Sequence, residues 1–94
     1  MNFEWDSAKN DANLEKHGID FHGAQSIWQD VVVTFQSPQS QHGETRFLAI
    51  GLYKEREIAV VYTIRADRKR LISARRARKN EREIYWKSTG QNRS

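Results

Sequence analysis

The chain has 94 residues, 37% hydrophobic and 30% charged, which describes one small globular domain and excludes a disordered chain. It has no cysteine, so a disulfide scaffold and cysteine-based zinc sites are excluded. The net charge is +4, yet Arg65 to Lys87 alone carries ten Lys or Arg against three acids, Asp67, Glu81 and Glu83. A single-sign patch of this kind concentrates polyanions, and phosphate backbones are the usual partner. No apolar run approaches the ~18 residues of a membrane span, and MNFEWDSAKND has no apolar leader core. The expectation is therefore a soluble cytoplasmic protein with no membrane partner.

In chain order, Phe3-Glu4-Trp5 reads as a short strand or an anchor docked on the core. Asp6 suits an N-cap, with a helix from Ser7 to about His17 that Gly18 ends in a left-handed conformation. Asp20 is the next N-cap. Phe21, Ala24, Ile27 and Trp28 share one face of a second helix running to about Gln29. Val31 to Phe35 is rich in β-branched residues and predicts a strand. QSPQSQHG (36–43) is a polar loop, and Glu44 to Leu52 is the next strand. Ile58 to Ile64 is almost wholly apolar, which predicts a central strand covered on both faces. Turns at Tyr53 to Arg56 and Ala66 to Lys69 flank it, and Arg70 to Arg75 is the last strand. A final helix runs from Arg78 or Lys79 to Lys87. The fold class is α+β: two N-terminal helices, a three- to four-stranded antiparallel sheet and a C-terminal helix. Residues 1–88 form the single domain, and 89–94 is expected to be a disordered tail.

Strand alternation puts Arg70, Ile72, Ala74 and Arg76 on one side of the last strand, and Leu71, Ser73 and Arg75 on the other. Arg75 and Arg76 therefore point to opposite faces and serve different purposes. Guanidinium groups suit phosphate because their donors form a fixed fork; the plainer alternative is a solvated basic rim. His42-Gly43-Glu44-Thr45-Arg46 places imidazole, carboxylate and guanidinium within five positions. Cleavage of RNA by its own 2′-hydroxyl needs a base for that proton, an acid for the leaving 5′-oxygen and positive charge on the phosphorane. His and Glu supply the first two and Arg or Lys the third, with no metal or cofactor. Taken alone, the same residues also fit a solvated loop histidine and a cross-strand salt bridge. Lys16 and His17 are favoured at a helix end by its dipole, and could also reach a phosphate. Tyr85 fits either helix-to-sheet packing or stacking on a base. Trp5, Trp28 and Trp86 suit core or partner contacts. His17, His22 and His42 lack ligand-like spacing, so no metal site is expected.

Phe3-Glu4-Trp5-Asp6, Lys9, Asn13, Lys16-His17-Gly18-Ile19 and Phe21 open a recognisable series. It continues through His42-Gly43-Glu44, Arg46, Ile50-Gly51, Val60-Val61-Tyr62-Thr63 and Arg65, and ends with Ile72-Ser73-Ala74-Arg75-Arg76-Ala77, Glu81-Arg82 and Tyr85. In this order and spacing the sequence resembles the BrnT-type toxins of bacterial type II toxin–antitoxin pairs, from Phe3 to Tyr85. The resemblance implies a RelE-like ribonuclease fold and RNA cleavage that inhibits translation. It also implies a BrnA-type antitoxin with a ribbon-helix-helix domain, in a 2:2 complex that represses its own operon, so that operator DNA is met only through the antitoxin. Carried onto matching positions, the implied catalytic set is Lys16, His42, Glu44, Arg65, Arg75 and Arg76. Glu44 or His42 would be the base, with Arg65 and Arg75 or Arg76 on the phosphate. By their charge or ring, Arg46, Arg68, Arg70, Arg78, Lys79, Arg82 and Tyr85 would bind RNA, with Arg78, Lys79 and Arg82 on the helix equally placed to meet an acidic antitoxin segment. Three stretches depart from the family pattern: Asp20 to Gly23, the Gln- and Ser-rich loop before His42, and Arg78 in place of a capping Thr. Without that cap, worth ~1 kcal/mol, the last helix is expected to start late or to depend on the antitoxin. Two alternatives stand beside the enzyme: a basic module that binds RNA or the ribosome without cutting, and a degenerate toxin that only completes a repressor.

Overall fold

A computed structural model describes residues 2–37 and 43–90 of the chain. β1 (Asn2–Trp5) leads into α1 (Ser7–His17), which Asp6 opens by accepting from the backbone N–H of Ala8 and Lys9 at 2.8 and 3.2 Å. Gly18, at φ +72°, closes it in the left-handed conformation that a side chain would resist. Asp20 caps α2 (Phe21–Ala24) through the Gly23 N–H at 2.6 Å. The predicted second helix is not one α-helix: after Ala24 it tightens into a 3₁₀ segment over Gln25–Gln29. The apolar face survives this change, with Phe21, Ala24 and Ile27 fully buried.

The strands are β2 (Val33–Gln36), β3 (Phe47–Tyr53), β4 (Arg56–Arg65) and β5 (Arg68–Arg76), followed by α3 (Lys79–Ser88). β2 starts two residues later than the sequence suggests. The Val31 N–H bonds the Asp30 carboxylate at 2.7 Å and its carbonyl accepts from the Tyr85 hydroxyl at 3.2 Å, which takes its backbone off the ladder. β3 also starts later, at Phe47, and Glu44 makes only an isolated bridge.

The sheet order is β1-β5-β4-β3-β2, so β4 is central as expected. The sheet has five strands, however, and is mixed: β1 adds to β5 in parallel, pairing Asn2 with Arg68 and Trp5 with Leu71. The expectation of three or four antiparallel strands is thus corrected. Phe3-Glu4-Trp5 is both a strand and an anchor, since Phe3 and Trp5 pack onto the core.

The sheet is covered on both faces. α1, α2 and the 3₁₀ segment lie on one, over Ala49, Ile58, Val60, Tyr62, Leu71 and Ala74. Trp28 meets Phe3 and Tyr62 there at ring distances of 5.4 and 5.2 Å. Gly51 lies where a Cβ would come within 2.7 Å of the Ile27 Cβ, so β3 and the 3₁₀ segment touch backbone to side chain. α3 covers the opposite face over Ile50, with Tyr85 and Ala77 buried against it and Leu48, Leu52 and Trp86 around them. Asn13 ties the layers. Its amide donates to the carbonyls of Ile19 and Ala74 at 2.8 and 2.9 Å and accepts from the Ala74 N–H at 3.0 Å, all in a buried site.

α3 begins at Lys79 despite its N-cap, Arg78, having no acceptor in its side chain. The Glu81 carboxylate accepts from the Arg78 N–H at 2.7 Å, which fills the half of a capping box that an arginine permits. The late start expected from the missing Thr does not occur. Thr89 still bonds back to Tyr85, and residues 91–94 of the expected tail lie outside the described residues.

Candidate functional site

A β-bulge between Val61 and Tyr62 decides which arginines share a face. Val61 pairs with Ser73 and Tyr62 with Leu71, leaving Ile72 as the extra residue on β5. Alternation restarts there. Leu71 therefore lies with Ala74 in the core under α1, and Arg70 moves to the opposite face, which it shares with Arg75. The expected grouping of Arg70 with Arg76 is corrected for this reason; Arg75 and Arg76 do point opposite ways.

The α3-side face therefore divides into two halves. One is beneath the helix. The other carries Arg65, Arg68 and Arg70, and here the cations are held by two acids. Arg65 donates from Nε to the Glu44 carboxylate at 2.6 Å, and a second guanidinium nitrogen also contacts it. Arg70 meets Glu4 at 2.8 Å and Arg68 meets the same carboxylate at 3.7 Å. Glu4 was not among the expected residues. Its role depends on the parallel pairing of β1 with β5, a non-local contact that no local pattern announces. Thr63 fixes the approach of the loop end by donating its hydroxyl to the Thr45 carbonyl at 2.7 Å. Alternation from Phe47, which stacks on Tyr62 in the core, puts half-buried Arg46 on the Arg65 side. His42 lies outside the described residues.

Arg75 has a different task. Its two terminal nitrogens grip both oxygens of Glu81 at 2.8 and 2.9 Å, and both side chains are largely buried. This forked bond pushes the Glu81 carboxyl below the usual carboxylate range and the guanidinium above its own. Arg75 therefore docks the first turn of α3. Tyr85, expected to contact RNA, is 3% exposed, and burial raises its phenol above the usual value. It packs instead, and its ring is not available to stack on a base. Trp86 donates to the buried Glu57 carboxylate at 2.6 Å. Arg82 spans back to the Ala77 carbonyl at 2.7 Å, while Arg78 and Lys79 are exposed at the helix start.

Lys16 and Arg76 are elsewhere. Arg76 pairs with Ile58 and Arg65 with Arg68, which puts Arg76 and Arg65 roughly 20 Å apart along the sheet and on different faces. Arg76 lines a cleft of about 370 Å³ with His17, Gly18, Ile19, Tyr53, Lys54, Arg56 and Ile58. Exposed Lys16 is the residue before His17. Arg65 and either Arg75 or Arg76 therefore do not line one groove, because one arginine is bound to α3 and the other lies across the sheet. The expected catalytic set is divided between two ends of the molecule. Sequence reading missed Lys54 and Arg56, which become neighbours of Arg76 only once the β3–β4 hairpin is folded against β5.

Among the described residues no group of three His, Asp or Glu is placed to hold a metal ion, and no helix is long and apolar enough to cross a membrane. The Glu44–Arg65 pair offers a carboxylate that can take a proton and a guanidinium with further donors for an anion. A family model described as ribonuclease toxin, BrnT, of type II toxin-antitoxin system matches residues 5–81. A comparison with curated proteins gives no match.

Proposed function

The chain belongs to the BrnT family of ribonuclease toxins of type II toxin–antitoxin systems, and on that premise we propose that its RNA-cleaving centre is built on Glu44 and Arg65, together with His42, two positions before Glu44 in the sequence. The observation that carries this reading is the Glu44–Arg65 pair on the sheet half that also bears Arg68 and Arg70. RNA would lie along these arginines, whose charge attracts its backbone. Arg65 would hold the scissile phosphate with donors not used by Glu44 and stabilise the charge of the phosphorane. Glu44 or His42 would take the 2′-hydroxyl proton as the O2′–P bond forms. The other would protonate the 5′-oxygen as the P–O5′ bond breaks, leaving a 2′,3′-cyclic phosphate. No step needs a metal. Arg46 would add charge beside the site.

The finer family properties are part of the same proposal: a RelE-like fold, a BrnA-type ribbon-helix-helix antitoxin in a 2:2 complex, joint repression of the operon, and action in the cytoplasm. A second reading has one observation in its favour. The Glu44–Arg65 bond is closed, as in an ordinary cross-strand salt bridge, which suits a module that binds RNA without cutting. Purified protein incubated with RNA in EDTA separates the two. We expect cleavage, with Arg65→Ala and Glu44→Gln each slowing it ~10²–10⁴-fold while the circular dichroism spectrum is kept. His42→Ala should do likewise. RNA retained but intact would establish the binding module instead.

A further inference from the structure

The cleft between the α1 end and the β3–β4 hairpin has a charge arrangement unlike the rest of the sheet. Six arginines lie on β4 and β5. Arg65, Arg68, Arg70 and Arg75 are all bonded to carboxylates. Arg56 and Arg76 have no ion pair among the described residues, and both border the same cleft. They are diagonal neighbours: Arg76 pairs with Ile58, and Arg56 precedes Ile58 by two positions on the same face, so their backbones are about 7–8 Å apart. Lys54 and His17 complete the rim, and no acid is among the lining residues. The floor is apolar, from Ile19 and Ile58, and Tyr53 supplies a ring beside them, with the Lys54 ammonium 5.2 Å from its centroid. Positive groups left unpaired around one concavity repel one another, and an anionic ligand relieves that repulsion.

We propose that this cleft is a binding site for the phosphate of a nucleotide unit, on the opposite face of the sheet from Glu44 and Arg65. About 370 Å³ is the room of one compact ligand and too little for an extended peptide. Two forked guanidiniums suit the concentrated charge of a phosphate, and the aliphatic floor with Tyr53 suits the body of a nucleoside. The α1 C-terminus brings a partial negative charge to the rim, and His17 and adjacent Lys16 offset it. A free nucleotide and a chain of RNA present the same phosphate chemistry, and the arms of the test separate them.

The test uses the full-length protein and ligands that cannot be cleaved, so it is independent of whether Glu44 and Arg65 form a ribonuclease centre. A labelled 2′-O-methyl oligoribonucleotide is titrated by fluorescence anisotropy over a salt series, and uridine 5′-monophosphate by calorimetry. Arg56→Gln with Lys54→Gln should weaken the oligonucleotide by tenfold or more and reduce the salt slope by about two. The same loss should recur in an Arg68→Gln background, because sites this far apart act independently. Calorimetric binding of the mononucleotide that the double substitution abolishes would assign the site to free nucleotides as well; binding of the oligonucleotide alone would assign it to RNA. Arg56 and Lys54 are exposed, and an unchanged thermal midpoint checks the fold. The proposal is overturned if oligonucleotide affinity and salt slope do not move, or if an acidic peptide is the only ligand that the substitutions displace.

Discussion

Asn13 does more for this fold than its place on a mostly exposed helix suggests. It is 7% exposed and makes three hydrogen bonds, to the backbone of Ile19 and to both polar groups of Ala74. Asn13→Ala would leave those groups buried without partners, and the expected cost is about 2–3 kcal/mol, read as a lower urea midpoint at unchanged slope. Glu81 is a second such residue. Its carboxyl titrates below the ordinary glutamate value because Arg75 holds the charged form. The unfolded chain therefore binds this proton more readily than the native one. The stabilisation is complete above the ordinary value of ~4.3 and is lost as the pH falls through the depressed one. Glu81→Gln should cost about 2 kcal/mol at pH 7 and less at pH 3, where the unfolded chain already binds the proton and folding must release it. An equal cost at both pH values would show that the ionic bond does not hold α3.

The hairpins carry strain at the scale of elements. Lys54 and Glu55 have φ of +52° and +64°, and Ala66 and Asp67 have +49° and +65°. Both pairs are two-residue connections in the left-handed region, where Asn-Gly is the favoured pair. Replacing Ala66-Asp67 by Asn-Gly should stabilise the protein by about 1 kcal/mol, visible as a raised denaturation midpoint, since an L side chain costs this much there. The caps of α1 and α2 and the central position of β4 were legible because each has a local signal: Asp6, Gly18, Asp20 and an apolar run. What was illegible was non-local. The parallel docking of β1 depends on residues 66 positions away, and the bulge at Ile72 depends on how two strands meet, not on either alone. One extra residue on β5 was enough to reverse the face of Arg70 and so to misassign half of the basic strand. Of the candidate site, Glu44 and Arg65 were put together only by the family resemblance; their ion pair, and the separation of Arg75 and Arg76 from it, depend on strand contacts that no local pattern announces.

Across a molecule that extends 37 × 27 × 23 Å, Arg65 with Arg68 and Arg70, and Arg76 with Arg56, lie on two separate surfaces and not in one groove. Arg65 stands at one end of β4 with Glu44, and Arg76 stands across from the other end beside Arg56. This has a kinetic consequence. Residues that act as one catalytic unit lose their effect together, so a double variant is about as slow as its slower single. Residues roughly 20 Å apart with no shared partner act independently, and their losses in kcat/KM multiply. RNA cleavage by Arg65→Ala, Arg76→Ala and the double variant should therefore show multiplication: two tenfold losses would give about a hundredfold. If the double variant is no slower than Arg65→Ala alone, the two arginines work on the same phosphate. The sheet would then have to rearrange when RNA binds, bringing Arg76 to the Glu44 side, because in the fold described here a single phosphate cannot touch both.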